Sequence, residues 1–290
     1  MSLGVSELSA LPHGASRNEA GQGTWRVWAP GKPNVSLITW PGGARRETAM
    51  QPAAGGYFEL TADDVPEGTR YAFRLPNIDL DLPDPASRWQ PDGVHKASAV
   101  LDPRAFAWND AAWKGLAQRE LVIYELHVGT FTPEGTFEAI IPRLAELASL
   151  GVTALELMPV SQFPGARNWG YDGVHPYAAQ NTYGGPHGLA RLVDAAHQHG
   201  LAVLMDVVYN HFGPEGNYIG LFGPYFTDRY HTPWGKGLNY DGYDSDAVRK
   251  FVIDNACQWI RDFHLDGLRL DAVQTIFDQG ACHILAEIQA

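Results

Sequence analysis

Three observations predict the fold class. The first third of the chain holds short alternating apolar runs between turn residues, and the rest alternates apolar strand-like runs with amphipathic helical segments. Unusual polar residues gather at the C-terminal ends of those later strand-like runs. Together they predict an N-terminal all-β sandwich of immunoglobulin-like type, followed by the first half of a (β/α)8 barrel. The domains are expected over residues 1–110 and 111–290.

The runs TWRVWAP, NVSLITW, GYFELTA and TRYAFRL read as strands of a small antiparallel sandwich. Pro41-Gly42-Gly43, Gly55-Gly56 and Glu67-Gly68 punctuate them as turns. The stretch DLPDPASRWQPDGVHKAS is rich in Pro and Asp and lacks periodicity, so it reads as an irregular passage leading out of the sandwich. The domain boundary is expected between residues 108 and 119.

From Leu121 the pattern changes. LVIYELHV reads as a strand, and Phe137, Ile140, Ile141, Leu144 and Leu147 follow at helical spacing, with Pro142 expected to kink or shorten that helix. TALELMPV is the next strand. Residues 187–199 carry Leu189, Leu192, Val193 and Ala196 on one face and end at Gly200, a C-cap position. LAVLMDVV follows. Ser245 is expected to cap a helix whose Val248, Phe251, Val252, Ala256, Trp259, Ile260 and Phe263 form an apolar stripe, and GLRLDAV is the fourth strand. Strands apolar on both faces and alternating with helices imply a covered parallel sheet. A doubly wound nucleotide-binding sheet would carry a glycine-rich phosphate loop after a strand, and neither GxGxxG nor GxxxxGK[ST] occurs at such a place.

Composition excludes several functions. A net charge of −12 without clustered Lys and Arg argues against nucleic-acid binding. Residues 1–10 lack a basic and an apolar segment, and no run of about 18 apolar residues occurs, so neither secretion nor membrane insertion is signalled and a cytoplasmic location is expected. Cys257 and Cys282 are expected to be small buried residues without function.

The strand ends lead to His127, to Gln162 and the NWGYDG loop, to Asp206, Asn210 and His211, and to Arg269 and Asp271. An aspartate at the end of an apolar strand is costly to bury charged without a partner. Residues two apart on a strand share a side, so Arg269 can hold Asp271 ionised. An oriented carboxylate in a barrel mouth suits attack on an anomeric carbon; an ion pair that only closes the barrel end would use the same residues. His211 suits hydrogen bonds to sugar hydroxyls, and Tyr171 and the neighbouring Trp169 suit stacking on a pyranose face, although each alone fits a packed core equally well. Asp206, Asn210 and His211 offer mixed N and O donors without a third-strand counterpart, so a metal site there is an alternative reading only, and neither metal nor cofactor is assigned.

DVVYNH (residues 206–211) and GLRLDAV (residues 267–273) resemble two signature regions of the α-amylase family of glycoside hydrolases. The resemblance implies a retaining mechanism on α-glucans, with Asp271 as nucleophile and Arg269 as its orienting partner. It also implies that His211 and Tyr171 bind the sugar at the cleavage point and that Asp206 supports Arg269. TWRVWAP and the strands after it resemble the carbohydrate-binding-like sandwich of glycogen-processing members. Branching members usually carry a Trp and a Pro-Gly-His ending where this chain has Val207-Val208-Tyr209-Asn210-His211, which counts against branching. The segments PDGVHKAS, VGTFTPEGTFE, NHFGPEGNY and YHTPWGKGLNYDG are similar to members that release trehalose, so the implied substrate is maltooligosyl trehalose or a related α-glucan. Debranching members of isoamylase type are the alternative.

A retaining glycosidase needs a second carboxyl about 5 to 5.5 Å from the first. In the family the proton donor sits on the strand after the nucleophile's. Glu287 is not expected to be that donor: Ile284, Leu285 and Ile288 form a helical stripe that puts Glu287 off the apolar face, and a crossover helix is required there. Residues 111–290 are therefore expected to be the first four of eight barrel units, with the donor and the remaining units elsewhere in a longer chain.

Overall fold

The structure is a computed structural model that describes residues 12–290; the residues 1–10 read for targeting signals lie outside the described residues. The four strand-like runs of the first third are all strands. β1 (Gly14–Arg17), β2 (Gly23–Trp28), β5 (Gln51–Ala53) and β6 (Tyr57–Ala62) form one antiparallel sheet in the order β1-β2-β6-β5. β3 (Ser36–Thr39), β4 (Arg46–Ala49), β7 (Arg70–Arg74) and β8 (Ser98–Ala99) form a second, in the order β4-β3-β7-β8. Trp25 of β2 meets Tyr71 of β7 edge to face at 6.1 Å, so residues of the two sheets share one core.

The irregular passage after β7 is packed rather than loose. Asp84 accepts a hydrogen bond from Tyr71 Oη at 2.7 Å and from the Ala86 amide at 2.8 Å, and Ser87 Oγ donates to Trp89 O. Side chains thus satisfy a buried backbone that pairs with β7 only at Leu82 and at β8.

β9 (Ile123–Leu126), β10 (Ala154–Leu157), β13 (Ala202–Val207) and β16 (Gly267–Leu270) make a four-stranded parallel sheet in the order β16-β13-β10-β9. Helical segments connect them: α1 (Val128–Phe131), α2 (Phe137–Ile140) and α3 (Leu144–Ser149) after β9, α4 (Gly185–Gln198) after β10, α5 (Ile219–Phe222) and α6 (Ser245–Phe263) after β13, and α7 (Ile284–Gln289) after β16. Two small antiparallel pairs, β11 (Ser161–Gln162) with β12 (His175–Ala179) and β14 (Phe226–Thr232) with β15 (Gly235–Leu238), extend the connections beyond β10 and β13.

The helix through Pro142 breaks as expected, with a 3-10 turn over Ile141–Arg143 between α2 and α3. Leu189, Leu192, Val193 and Ala196 of α4 are buried, and Gly200 follows the helix with φ +72. Ser245 is not a cap. Asp244 occupies the cap position with left-handed backbone and no side-chain bond, which puts Ser245 inside the first turn. Ile260 is 43% exposed, outside the stripe that buries Val248, Phe251, Val252, Ala256, Trp259 and Phe263.

Cys257 and Cys282 are exposed, contrary to the expectation of burial. Cys257 follows buried Ala256 on α6, and a step of about 100° turns it away from the core.

The helix-covered face of the sheet is apolar, and the other face is mixed, with Ala154, Ala202 and Leu204 among its residues. Leu155, Leu157, Val203, Met205 and Val207 are buried on the helix-covered face, while the alternate positions also carry Glu125, Glu156, Asp206 and Arg269. Among the described residues no helix is long and apolar enough to cross a membrane.

Candidate active site

The parallel register sets the site. Asp206 on β13 lies opposite Arg269 on β16. Arg269 Nη1 donates to both Asp206 oxygens, at 3.0 and 2.9 Å, and to Asp271 Oδ1 at 2.8 Å. One guanidinium therefore bridges two carboxylates, with Asp206 fully buried and Arg269 about half exposed. The Asp271 amide donates to Val207 O at 3.0 Å, continuing the ladder one residue past β16. Ala272 then turns the chain with φ +43, a left-handed conformation costing about 1 kcal/mol for a residue with a Cβ.

Burial pushes the Asp206 carboxyl up to about 6, against the pull of Arg269 and the bond from Tyr171. The hydrogen bond to Asp206 raises the Arg269 guanidinium further above its ordinary range, so this cation is permanent. Tyr171 Oη donates to Asp206 Oδ2 at 3.0 Å, and burial, then the charge of Asp206, raise the phenol well above its usual value.

Tyr171 is delivered by the NWGYDG loop. Gly170 has φ +103, and a Cβ there would lie 2.2 Å from Pro159 O, so only glycine fits. Asn168 Oδ1 accepts from the Gly170 amide at 2.7 Å, and His127 at the end of β9 donates from Nε2 to Asn168 O at 2.7 Å. His127 is thus a loop anchor. Gln162 is buried and spans to Asn181 and Phe163, another framework role.

A hydrogen-bond chain positions the His211 ring. Thr275 Oγ1 donates to Ala272 O at 2.8 Å and so accepts from Asn210 Nδ2 at 3.0 Å; Asn210 Oδ1 is left to accept from His211 Nδ1 at 3.0 Å. Burial lowers the pKa of His211, and a hydrogen bond to the Tyr171 backbone and the charge of Asp271 work against that shift. Asn210 ties the loop after β13 to the turn after Asp271. Among the described residues no group of three or more His, Cys, Asp or Glu side chains is placed to hold a metal ion.

Of the six residues singled out as site candidates, Asp206, Arg269, Asp271 and Tyr171 form one hydrogen-bonded cluster, and His211 sits beside it. Trp169 does not join it: 76% exposed, it makes no hydrogen bond or ring contact among the described residues. Two neighbours escaped the sequence reading. Trp234, in the turn between β14 and β15, stacks on His211 with centroids 4.9 Å apart and an interplanar angle of 19°. Glu156 lies in register with Glu125 on the inner face; burial and then Glu125 raise its carboxyl, while Arg269 opposes. The polar residue recurring mid-strand in YELH and LELM was the available signal for Glu125 and Glu156; nothing local marked Trp234.

Residues 93–221 match the family described as alpha amylase, catalytic domain. A malto-oligosyltrehalose trehalohydrolase from Saccharolobus solfataricus is 51% identical over 265 residues, which cover 91% of this chain and 46% of the relative. Residues 93–221 of this chain thus resemble an α-amylase catalytic domain. Among solved α-amylase-like structures, an alpha-amylase candidate from Salmonella typhimurium superposes with a TM-score of 0.89 at 46% identity, over 95% of this chain and 46% of that one. A pullulanase from Anoxybacillus in complex with maltotetraose superposes with a TM-score of 0.80 at 25% identity, over 94% of this chain and 47% of that one. The chain spans about half the length of the curated relatives it matches.

Proposed function

We propose that the chain supplies the nucleophile half of a retaining glycoside hydrolase that cleaves the α-1,4 bond next to the terminal trehalose of maltooligosyl trehalose. The observation that carries the reading is the bridge from Asp206 through Arg269 to Asp271 at the C-terminal ends of adjacent parallel strands. Asp271 attacks the anomeric carbon, the glycosidic C–O bond breaks, and trehalose leaves as its oxygen takes a proton from a donor carboxyl. Water then attacks the glycosyl ester, releasing the shortened maltodextrin and restoring Asp271. Arg269 holds Asp271 oriented, Asp206 holds Arg269, and Tyr171, His211 and Trp169 contact sugar. Trp234 extends the aromatic wall.

In this reading residues 1–110 form an immunoglobulin-like, carbohydrate-binding-module-like sandwich, and residues 111–290 are four units of a TIM barrel whose other units and proton donor lie outside residues 1–290. The protein is cytoplasmic, acts in trehalose biosynthesis, uses no cofactor and binds neither nucleic acid nor membrane. The 51% identity to a trehalohydrolase supports the substrate.

The full-length protein, given maltooligosyl trehalose, tests the reading by trehalose release. Turnover of pullulan instead would favour a debranching enzyme, the second reading that the pullulanase likeness supports. Binding of maltotetraose without turnover of either substrate would leave a non-catalytic glucan binder.

A further inference from the structure

We propose that a second site, remote from Asp271, binds a phosphate monoester of hexose size. A cavity of about 470 Å³ opens where β1, the segment entering the parallel sheet and the end of α6 meet. Arg17, Arg88, Arg104 and Arg261 line it, with Trp108 and His264 on one wall. Four guanidinium groups from four separate segments converge there in a chain whose net charge is −12.

Their carboxylate partners do not match them one for one. Asp102 takes both Arg17 and Arg104, and Asp262 takes Arg261. Arg88 has neither. It is 6% exposed, and Nη1 donates to two neutral carbonyls, His13 O at 2.9 Å and Ala15 O at 2.8 Å. Its guanidinium carbon also lies 5.6 Å from the centroid of the Tyr177 ring. Asp84, the acid whose charge it feels, is occupied by Tyr71 and the Ala86 amide. Four guanidinium groups against the two carboxylates Asp102 and Asp262 leave an excess of positive charge at the cavity that an anion would offset.

Arginine forks match the oxygens of a phosphate, and the apolar surface of Trp108 and Leu101 suits the body of a small ligand. The volume lies within the range of small-molecule sites. The ligand would tie the N-terminal sheets to the end of α6, from which the chain runs through Asp266 into β16 and on to Asp271.

Isothermal titration and thermal denaturation of the full-length protein test this with glucose 6-phosphate, inorganic phosphate and glucose. Glucose 6-phosphate is expected to raise Tm and glucose to leave it unchanged. The variant Arg104→Gln/Arg261→Gln, altered at two exposed positions, is expected to keep the unliganded Tm and to bind at least about tenfold more weakly. Arg88→Met should weaken binding further. Inorganic phosphate binding as tightly as glucose 6-phosphate would overturn the hexose part. Undiminished binding in the folded double variant would overturn the location, and no phosphate binding by the wild type at millimolar ligand would overturn the site.

Discussion

At each end of the parallel sheet one cation is held between two aspartates. At the C-terminal end Arg269 bridges Asp206 and Asp271; at the other, His197 bridges Asp110 (Nδ1, 2.9 Å) and Asp266 (Nε2, 3.0 Å). Asp266 and Asp271 bracket one strand, β16. The difference lies in unused hydrogen-bonding capacity. Asp266 also takes the Val203 amide and Trp113 Nε1, Asp110 also takes His264, and Trp113 stacks on His197 at 4.8 Å. That cluster is closed. Among the described residues the Asp271 carboxylate accepts from Arg269 alone, which leaves most of its acceptor capacity unused. The closed cluster is a fastener between residues 110–113 and the sheet; the open one can take a substrate.

Asp271→Asn would separate the two roles most sharply. In the full-length protein, turnover of maltooligosyl trehalose is expected to fall by about four orders of magnitude, as when a covalent nucleophile is removed. Stability should change by no more than about 1 kcal/mol, because Arg269 keeps Asp206. Retained turnover would break the assignment of Asp271 as nucleophile.

Arg269→Gln should lose activity and stability together. It leaves the Asp206 carboxylate buried with only Tyr171 for a partner, an expected cost of about 3 kcal/mol in urea denaturation. A loss below about 1 kcal/mol would mean that the open cluster is not held by its cation. The carboxylate form of Asp206 anchors the bridge, so activity should also decline as pH falls through about 6.

The closed cluster has a titratable cation, so pH distinguishes it. Burial works to lower the pKa of His197, but the bonds and charges of Asp266 and Asp110 outweigh it and raise the group. A raised folded-state pKa contributes stability that is complete below the unfolded value, near 6.5, and is lost as pH rises through the folded value. His197→Gln should therefore cost about 2 kcal/mol at pH 6 and progressively less at higher pH. A cost that stays constant from pH 6 to 9 would show that His197 does not act as an imidazolium.

The contrast also explains what was legible in the sequence. Spacing read the parallel strands and α4 because buried faces impose a period, and it placed Arg269 beside Asp271 because strand alternation is local. The closed cluster was invisible: Asp110, His197 and Asp266 are 87 and 69 residues apart along the chain, and no periodicity links them. The strands β1, β4, β5 and β8 escaped because GASR, RETA, QPA and SA carry no alternating large apolar residues. Trp169 was read through its neighbour Tyr171, but the turn at Gly170 separates their surroundings.

Glu287→Gln should have the smallest effect. Glu287 is helical, as its apolar stripe implied, yet it does not face outward: it is half-buried on Arg249, with Oε1 at 2.9 Å from Nη2 and Oε2 at 3.0 Å from Nε. Arg249 also donates to Asp278 Oδ2 at 2.6 Å and to Tyr240 O at 2.7 Å, so it keeps a buried anionic partner when Glu287 becomes neutral. The amide retains one acceptor, and the expected loss is about 1 kcal/mol or less. Turnover of the full-length enzyme should not change. Abolished trehalose release with Tm preserved would instead make Glu287 the proton donor. The open cluster would then have its second acid on α7, and the division between a catalytic end and a fastened end of the sheet would have to be redrawn.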